Sequence, residues 1–297
     1  MTKLTDMTGS KYPIIQGPIG AMNSPDLIAS VSNAGGYGMM ALGFTRNIDD
    51  VKKLIEQVKE KTDKPFGANL MIVNPLSEQI IPILAEAGIK TITTSVGFPG
   101  KIYPLLHDLG MKGLHVVLSL KHAISAVETG ADGIVAAGSE AGGLRSTSPE
   151  SSIMVLVPLI ADNVNVPVVA AGGIADSRGY KAALALGASG VQLGTRLIAS
   201  QESTAHEKWK DLIVQCKDGG TELLPVENLM MRAIMTKEIK ELINSPGFDI
   251  KKEFQLKNAD KAWSSADFDL IPAGAGQVSA LIKDVKPVKE IIDEMIK

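Results

Sequence analysis

Residues 166–196 read VPVVAAGGIADSRGYKAALALGASGVQLGTR. An apolar run, VPVVAAGG (166–173), leads through Asp176 into an amphipathic stretch that stops at Gly187, and a second apolar run, SGVQLGT (189–195), follows at once. Uninterrupted apolar runs of this length mark strands buried on both faces, and a strand, a helix and a strand joined by short connections make one βα unit of a parallel sheet. Asp176 offers an acceptor to the free amides of the first helical turn, and Gly187 supplies the left-handed stop after the last.

The same alternation recurs through the preceding sequence. Strands are expected at YPIIQG (12–17), GYGMMAL (36–42), PFGANLM (65–71), KTITTS (90–95), KGLHVVL (112–118) and DGIVAAG (132–138), with amphipathic stretches such as NIDDVKKLIEQVKEKT (47–62) between them. With the two strands above this makes eight βα units, which fit a closed α/β (β/α)8 TIM barrel better than an open doubly wound sheet. The pattern breaks after Thr195. Residues 201–270 are polar, read as helical without strand signals, and hold both tryptophans, Trp209 and Trp263. The expected organisation is therefore a barrel from residues 1–200 and 271–297, with residues 201–270 as a mainly helical insertion, or lid, after strand eight. AGAGQVSALIKDVKPVKEIIDEMI (273–296) is expected to be the last outer helix.

With 297 residues, 45% of them hydrophobic, the chain can bury one large core. The 30 basic and 33 acidic residues give a net charge of −3 without a basic block, which argues against a nucleic-acid partner. The single cysteine, Cys216, leaves no disulfide framework and no thiolate cluster for a metal, so no metal centre and a cytoplasmic setting are expected. Neither a signal-peptide core nor an apolar stretch of roughly 20 residues is present, so no membrane association is expected.

In such barrels the chemistry sits at the carboxyl ends of the strands, with a phosphate site common at strands seven and eight. Strand seven ends in Gly172-Gly173 and strand eight in Gly194-Thr195. Bare backbone amides and one hydroxyl at these two places make a candidate phosphate cradle. Gln16 and Asn69 interrupt apolar strands with amides that need partners, either in a ligand or in the backbone.

Residues 166–196, together with YPIIQGPIG (12–20), GGYGMMALG (35–43), KPFGANLM (64–71) and GSEAGG (138–143), resemble the nitronate monooxygenase and FMN-type enoyl-acyl carrier protein reductase family. The resemblance covers about residues 10–205 and resumes at AGAGQVSALI (273–282). It implies an FMN cofactor, with Gln16, Gly17 and the backbone near Pro18 and Ile19 lining the isoalloxazine and Gln192 beside the ring. Asn69 would bond the flavin or its ribityl chain, Gly142 and Gly143 would approach the cofactor, and Gly172, Gly173, Gly194 and Thr195 would hold its phosphate.

The match fails at one position. The family usually carries a histidine directly after this AGG, whereas here the residue is Leu144, which can neither take nor give a proton. Candidates for that role are Glu140 in the same loop, then His206 and His122. His107 and His115 are expected near the opposite face.

Three functions follow from the resemblance. The first is oxidation of alkyl nitronates with O2. The second is NAD(P)H-dependent reduction of an activated alkene or quinone, in which Lys237, Lys240, Lys251 and Lys252 could meet an acyl carrier. The third is a non-catalytic flavin-binding protein. A purine dehydrogenase of this fold would need a nucleophilic cysteine after strand six, and residues 138–148 contain none. A small-molecule substrate and a homo-oligomer are expected.

Overall fold

The computed structural model describes residues 3–20, 22–146 and 151–297. Its centre is an eight-stranded parallel sheet made of β1 (Ile14–Gln16), β2 (Gly38–Ala41), β3 (Phe66–Met71), β4 (Thr91–Ser95), β5 (Lys112–Val117), β6 (Gly133–Ala137), β8 (Val168–Ala171) and β9 (Gly190–Leu193). The short β7 (Gly143–Arg145) lies outside it. Spatial order is β1-β9-β8-β6-β5-β4-β3-β2, and the ends meet where Tyr37 N donates to Ile14 O (2.8 Å) and Gln16 N to Tyr37 O (2.9 Å). The eight expected barrel strands are all present and the barrel closes. The helix Ser177–Ala185 begins as its sequence implies, the Asp176 carboxylate accepting from Arg178 N and Gly179 N.

Alternation along each strand divides the core in two. Ile15, Tyr37, Met39, Leu114, Val135 and Val169 fill the barrel interior, while the outward residues pack beneath the helices. The amino end is plugged by the helix Leu4–Thr8, whose Leu4 and Met7 join the interior cluster. Each such side chain contributes about 1.5–3 kcal/mol on burial. Gly190 makes room for the plug, since a Cβ there would stand 2.5 Å from Leu4 Cδ2. No helix among the described residues is long and apolar enough to cross a membrane.

Two expectations require correction. Residues 201–270 do contain strands, β10 (Thr221–Val226) and β11 (Leu229–Ile234), which form an antiparallel hairpin. The hairpin extends through β11 onto β7, giving a three-stranded sheet of order β10-β11-β7. Met, Arg and Ala in MMRAIM favour a helix, but pairing with β7 overrides that propensity. Pro225 is tolerated because β10 is the edge strand. The C-terminal stretch is likewise not one helix. A 3₁₀ turn, Gln277–Leu281, precedes an α-helix, Val288–Met295, that begins only after Pro287, a residue unable to continue a helix from its N-terminal side. The Glu202 carboxylate takes the free amide of Val288 at 3.0 Å.

Candidate active site at the carboxyl ends of the barrel strands

Two adjoining cavities open at the carboxyl ends of the strands, of about 130 Å³ and about 560 Å³. Pro18, Gly142, Gly143, Gln192 and Trp263 line both and form the seam between them.

The smaller cavity is walled by Gly17, Ile19, Gly172, Gly173, Gly194 and Thr195, so the two expected glycine turns do converge. Gly172 has φ +110°, and a Cβ on it would stand 2.9 Å from Ala141 N, so the turn requires glycine. A Cβ on Gly194 would meet nothing within 4 Å and would project into open space. Thr195 Oγ1 accepts from Gly276 N at 3.0 Å, which leaves its own hydroxyl hydrogen for another acceptor. Gly276 and the two tryptophans complete this wall, and sequence reasoning assigned them no such place. Trp209 and Trp263 approach to 5.7 Å between ring centroids. The indole N–H of Trp209 and Oε1 of Gln192 are buried with no protein hydrogen-bond partner among the described residues.

The larger cavity is mainly apolar, with Phe44, Met71, Phe98 and Leu144 among its walls. Asn69 reaches it from β3, its Nδ2 donating to Thr93 Oγ1 (2.8 Å) and its Oδ1 accepting from Ser95 Oγ (3.2 Å). The loop after β4 also lines it, and there Val96 takes φ +49°, a region that a β-branched side chain rarely adopts and that marks stored strain.

The expected proton-handling residues separate. The Glu140 carboxylate accepts the Ile153 amide with both oxygens at 3.1 Å, faces the smaller cavity and does not line the larger one. His206 caps the helix Glu207–Gln215, its Nδ1 accepting from Lys208 N at 3.2 Å, and lines neither cavity. His122 does line the larger cavity, from the first turn of the helix Leu120–Glu128.

Two further placements correct the expectations. Gln16 lines neither cavity, because its amide is engaged with the backbone of Met39 through Nε2 (3.1 Å to O) and Oε1 (3.4 Å from N). His115 does not belong to the opposite face. It lies within β5, paired in register with Thr94, and lines the larger cavity. Leu114 and Val116 point into the barrel, so the pleat turns His115 outward, where its Nδ1 meets Thr94 Oγ1 at 2.8 Å. Burial, helped by the nearby His122, pushes its pKa down to about 4 and keeps the imidazole neutral near pH 7. His107 is apart from the site, its Nε2 3.0 Å from Asp132.

The loop bearing Leu144 is held on several sides. Leu144 pairs with Met231 of β11. Arg145 donates to Gly138 O and Ala141 O, both at 3.0 Å, while Arg232 Nε donates to Ser139 O at 3.0 Å. No cluster of three or more His, Cys, Asp or Glu suited to a metal occurs among the described residues.

The family described as nitronate monooxygenase matches residues 1–81 and 77–297. A probable nitronate monooxygenase of Staphylococcus aureus (strain JH9) is 30% identical, over 99% of this chain and 96% of that protein. The solved structure of FabK from Thermotoga maritima superposes with a TM-score of 0.90 at 34% identity, covering 99% of this chain and 95% of that one. Nitroalkane oxidase from Streptomyces ansochromogenes shares the fold, with a TM-score of 0.84 at 24% identity over 98% and 96% of the two chains. The barrel, its glycine-lined cradle and matches along almost the whole sequence together mean that this chain belongs to the nitronate monooxygenase family of flavin-dependent oxidoreductases.

Proposed function

We propose that the protein holds FMN across the two cavities and oxidises alkyl nitronates with O2 in the larger one. The observation that carries the substrate half is one of charge: no Asp or Glu lines the larger cavity among the described residues, whereas the Arg145 guanidinium and the imidazole of His122 do. An anion is better accommodated there than a cation. The cofactor half is supported by the open Cβ direction at Gly194, the positive-φ glycines 172 and 173, and the unpartnered Gln192 Oε1 at the seam.

In this reading the amides at Gly172, Gly173 and Gly194 and the Thr195 hydroxyl bind the phosphate, as anion-binding concavities of backbone N–H groups do. Gly17, Pro18, Ile19, Gly142, Gly143 and Gln192 flank the ring, and Asn69 fixes one polar edge. When bound, FMN supplies the electron transfer. The apolar walls, Phe98, Leu144 and Trp263 among them, exclude water around the reacting groups. A nitronate is already deprotonated, so its binding needs no base at position 144, whereas a neutral nitroalkane would need one.

A second reading, reduction of an activated alkene or quinone by NAD(P)H, is favoured by Leu144 itself, because hydride transfer requires alignment and no side-chain base.

The test starts from the cofactor. Purified protein is expected to carry or take up FMN with quenching of its tryptophan emission, and Gly173→Asp to abolish uptake by setting a carboxylate against the phosphate. Oxygen consumption with propyl-1-nitronate is then compared with anaerobic flavin bleaching by NADH or NADPH. Protein that is colourless and binds no FMN overturns the proposal. Rapid bleaching without nitronate oxidation replaces it with the second reading.

A further inference from the structure

The larger cavity has an end that the cofactor reading leaves unused. Its walls there come from β5 and from the helix Leu120–Glu128, three strand positions around the barrel from the cradle on β9. His122 and Ser125 lie one helical turn apart, so they share a face, and both line the cavity. Among the described residues no protein group hydrogen-bonds the His122 imidazole or the Ser125 hydroxyl. His115 stands beside them on β5.

The surrounding charges are few. On β5, Lys112 is paired with Asp132, and His115 stays neutral. β6 and the helix Ile153–Ala161, which also pack on this helix, carry no ionisable residue. The helix itself adds Lys121 and Glu128, which do not line the cavity, and β7 adds Arg145, whose guanidinium is bonded to loop carbonyls. Among the described residues, therefore, no carboxylate of the cavity wall faces His122.

We propose that His122 and Ser125 form a subsite for a planar oxyanion of the substrate, a nitronate or a carboxylate, with the His122 imidazole and the Ser125 hydroxyl as donors and His115 as a neutral polar wall. The subsite rests on reading the larger cavity as the substrate cavity. It does not depend on which redox reaction is run there.

Its test is ligand binding to the FMN-loaded protein, followed by perturbation of the flavin spectrum and by saturation-transfer NMR. The probes are nitrate, whose charge is constant near neutrality, and butyrate, which adds an apolar tail. In His122→Gln nitrate affinity is expected to be weaker by about 10- to 100-fold, the range of a lost charge-assisted hydrogen bond. Ser125→Ala is expected to lose less, and His206→Gln, which alters a histidine outside both cavities, to match wild type. FMN affinity, measured alongside, reports that each variant is folded. Wild-type protein that binds neither anion, or His122→Gln that keeps wild-type affinity, overturns the subsite. Protein that binds anions through His122 yet fails to oxidise nitronates refutes the proposed reaction and leaves the subsite standing.

Discussion

Leu144 lies on the wall of the larger cavity, in register with Met231, and its backbone pairing is independent of its side chain. Leu144→His therefore introduces an imidazole without removing a contact that holds β7. A positioned base contributes about 10²- to 10⁴-fold to proton transfer. Little turnover of neutral nitroalkanes is expected of the wild-type protein, and a gain in both nitronate and nitroalkane oxidation of Leu144→His, read as kcat/KM by oxygen consumption. Glu140→Gln separates the alternatives, because its carboxylate already serves the amide of Ile153. It is expected to cost about 1 kcal/mol of stability, as loss of a helix cap does, with no specific loss of activity. A Glu140→Gln protein of full stability and lost turnover would return the base to Glu140. At this scale the sequence was informative where backbone geometry dictates the residue. Gly172 and Gly173 are legible because their positive φ favours glycine, and Asn69 because an amide in an apolar strand needs partners. His115 was not, because membership of the expected strand 112–118 leaves open which way its side chain faces, and only the pleat and register with Thr94 bring it to the cavity.

The element that matters most to the site is the sheet β10-β11-β7, since it joins the insertion to the loop that carries Gly142, Gly143 and Leu144. Arg232 is the clearest link. It is only 8% exposed, forms no ion pair among the described residues, and donates from β11 to Ser139 O in the loop. Arg232→Met keeps the apolar stem and removes the donor. Its expected cost is about 1–3 kcal/mol in urea unfolding, the range for a hydrogen bond to a charged group, together with a fall in kcat/KM that exceeds any loss of FMN affinity. Unfolding at wild-type urea concentration with unchanged kcat/KM would show that β11 does not position the loop. The barrel strands were legible because parallel strands buried on both faces read as unbroken apolar runs. The hairpin was not, since its two-residue connection, Glu227-Asn228, lacks glycine, Pro225 interrupts β10, and the residues of β11 are good helix formers.

For the whole molecule, the barrel and the insertion meet at the smaller cavity. The glycine cradle comes from β8 and β9, whereas Trp209 and Trp263, the chain's two tryptophans, come from residues 201–270. The eightfold alternation announces the barrel, but the five-residue plug Leu4–Thr8 is too short to show a helical period, and the closing of the insertion over the cradle depends on contacts distant in sequence. A ligand bound at the cradle touches both parts and so favours the state in which they are docked. Binding at 100 times Kd adds about 2.7 kcal/mol to the stability of whatever must be folded to bind. Limited proteolysis without FMN is expected to cut first within residues 201–270. Saturating FMN is expected to slow that cleavage about 100-fold where opening precedes it, and to quench most of the tryptophan emission over the same concentration range. Because both indoles stand in the wall of one cavity, the two curves should share a midpoint. Cleavage concentrated at the amino ends of the strands, or protection without tryptophan quenching, would place the bound flavin elsewhere and separate the insertion from the active site.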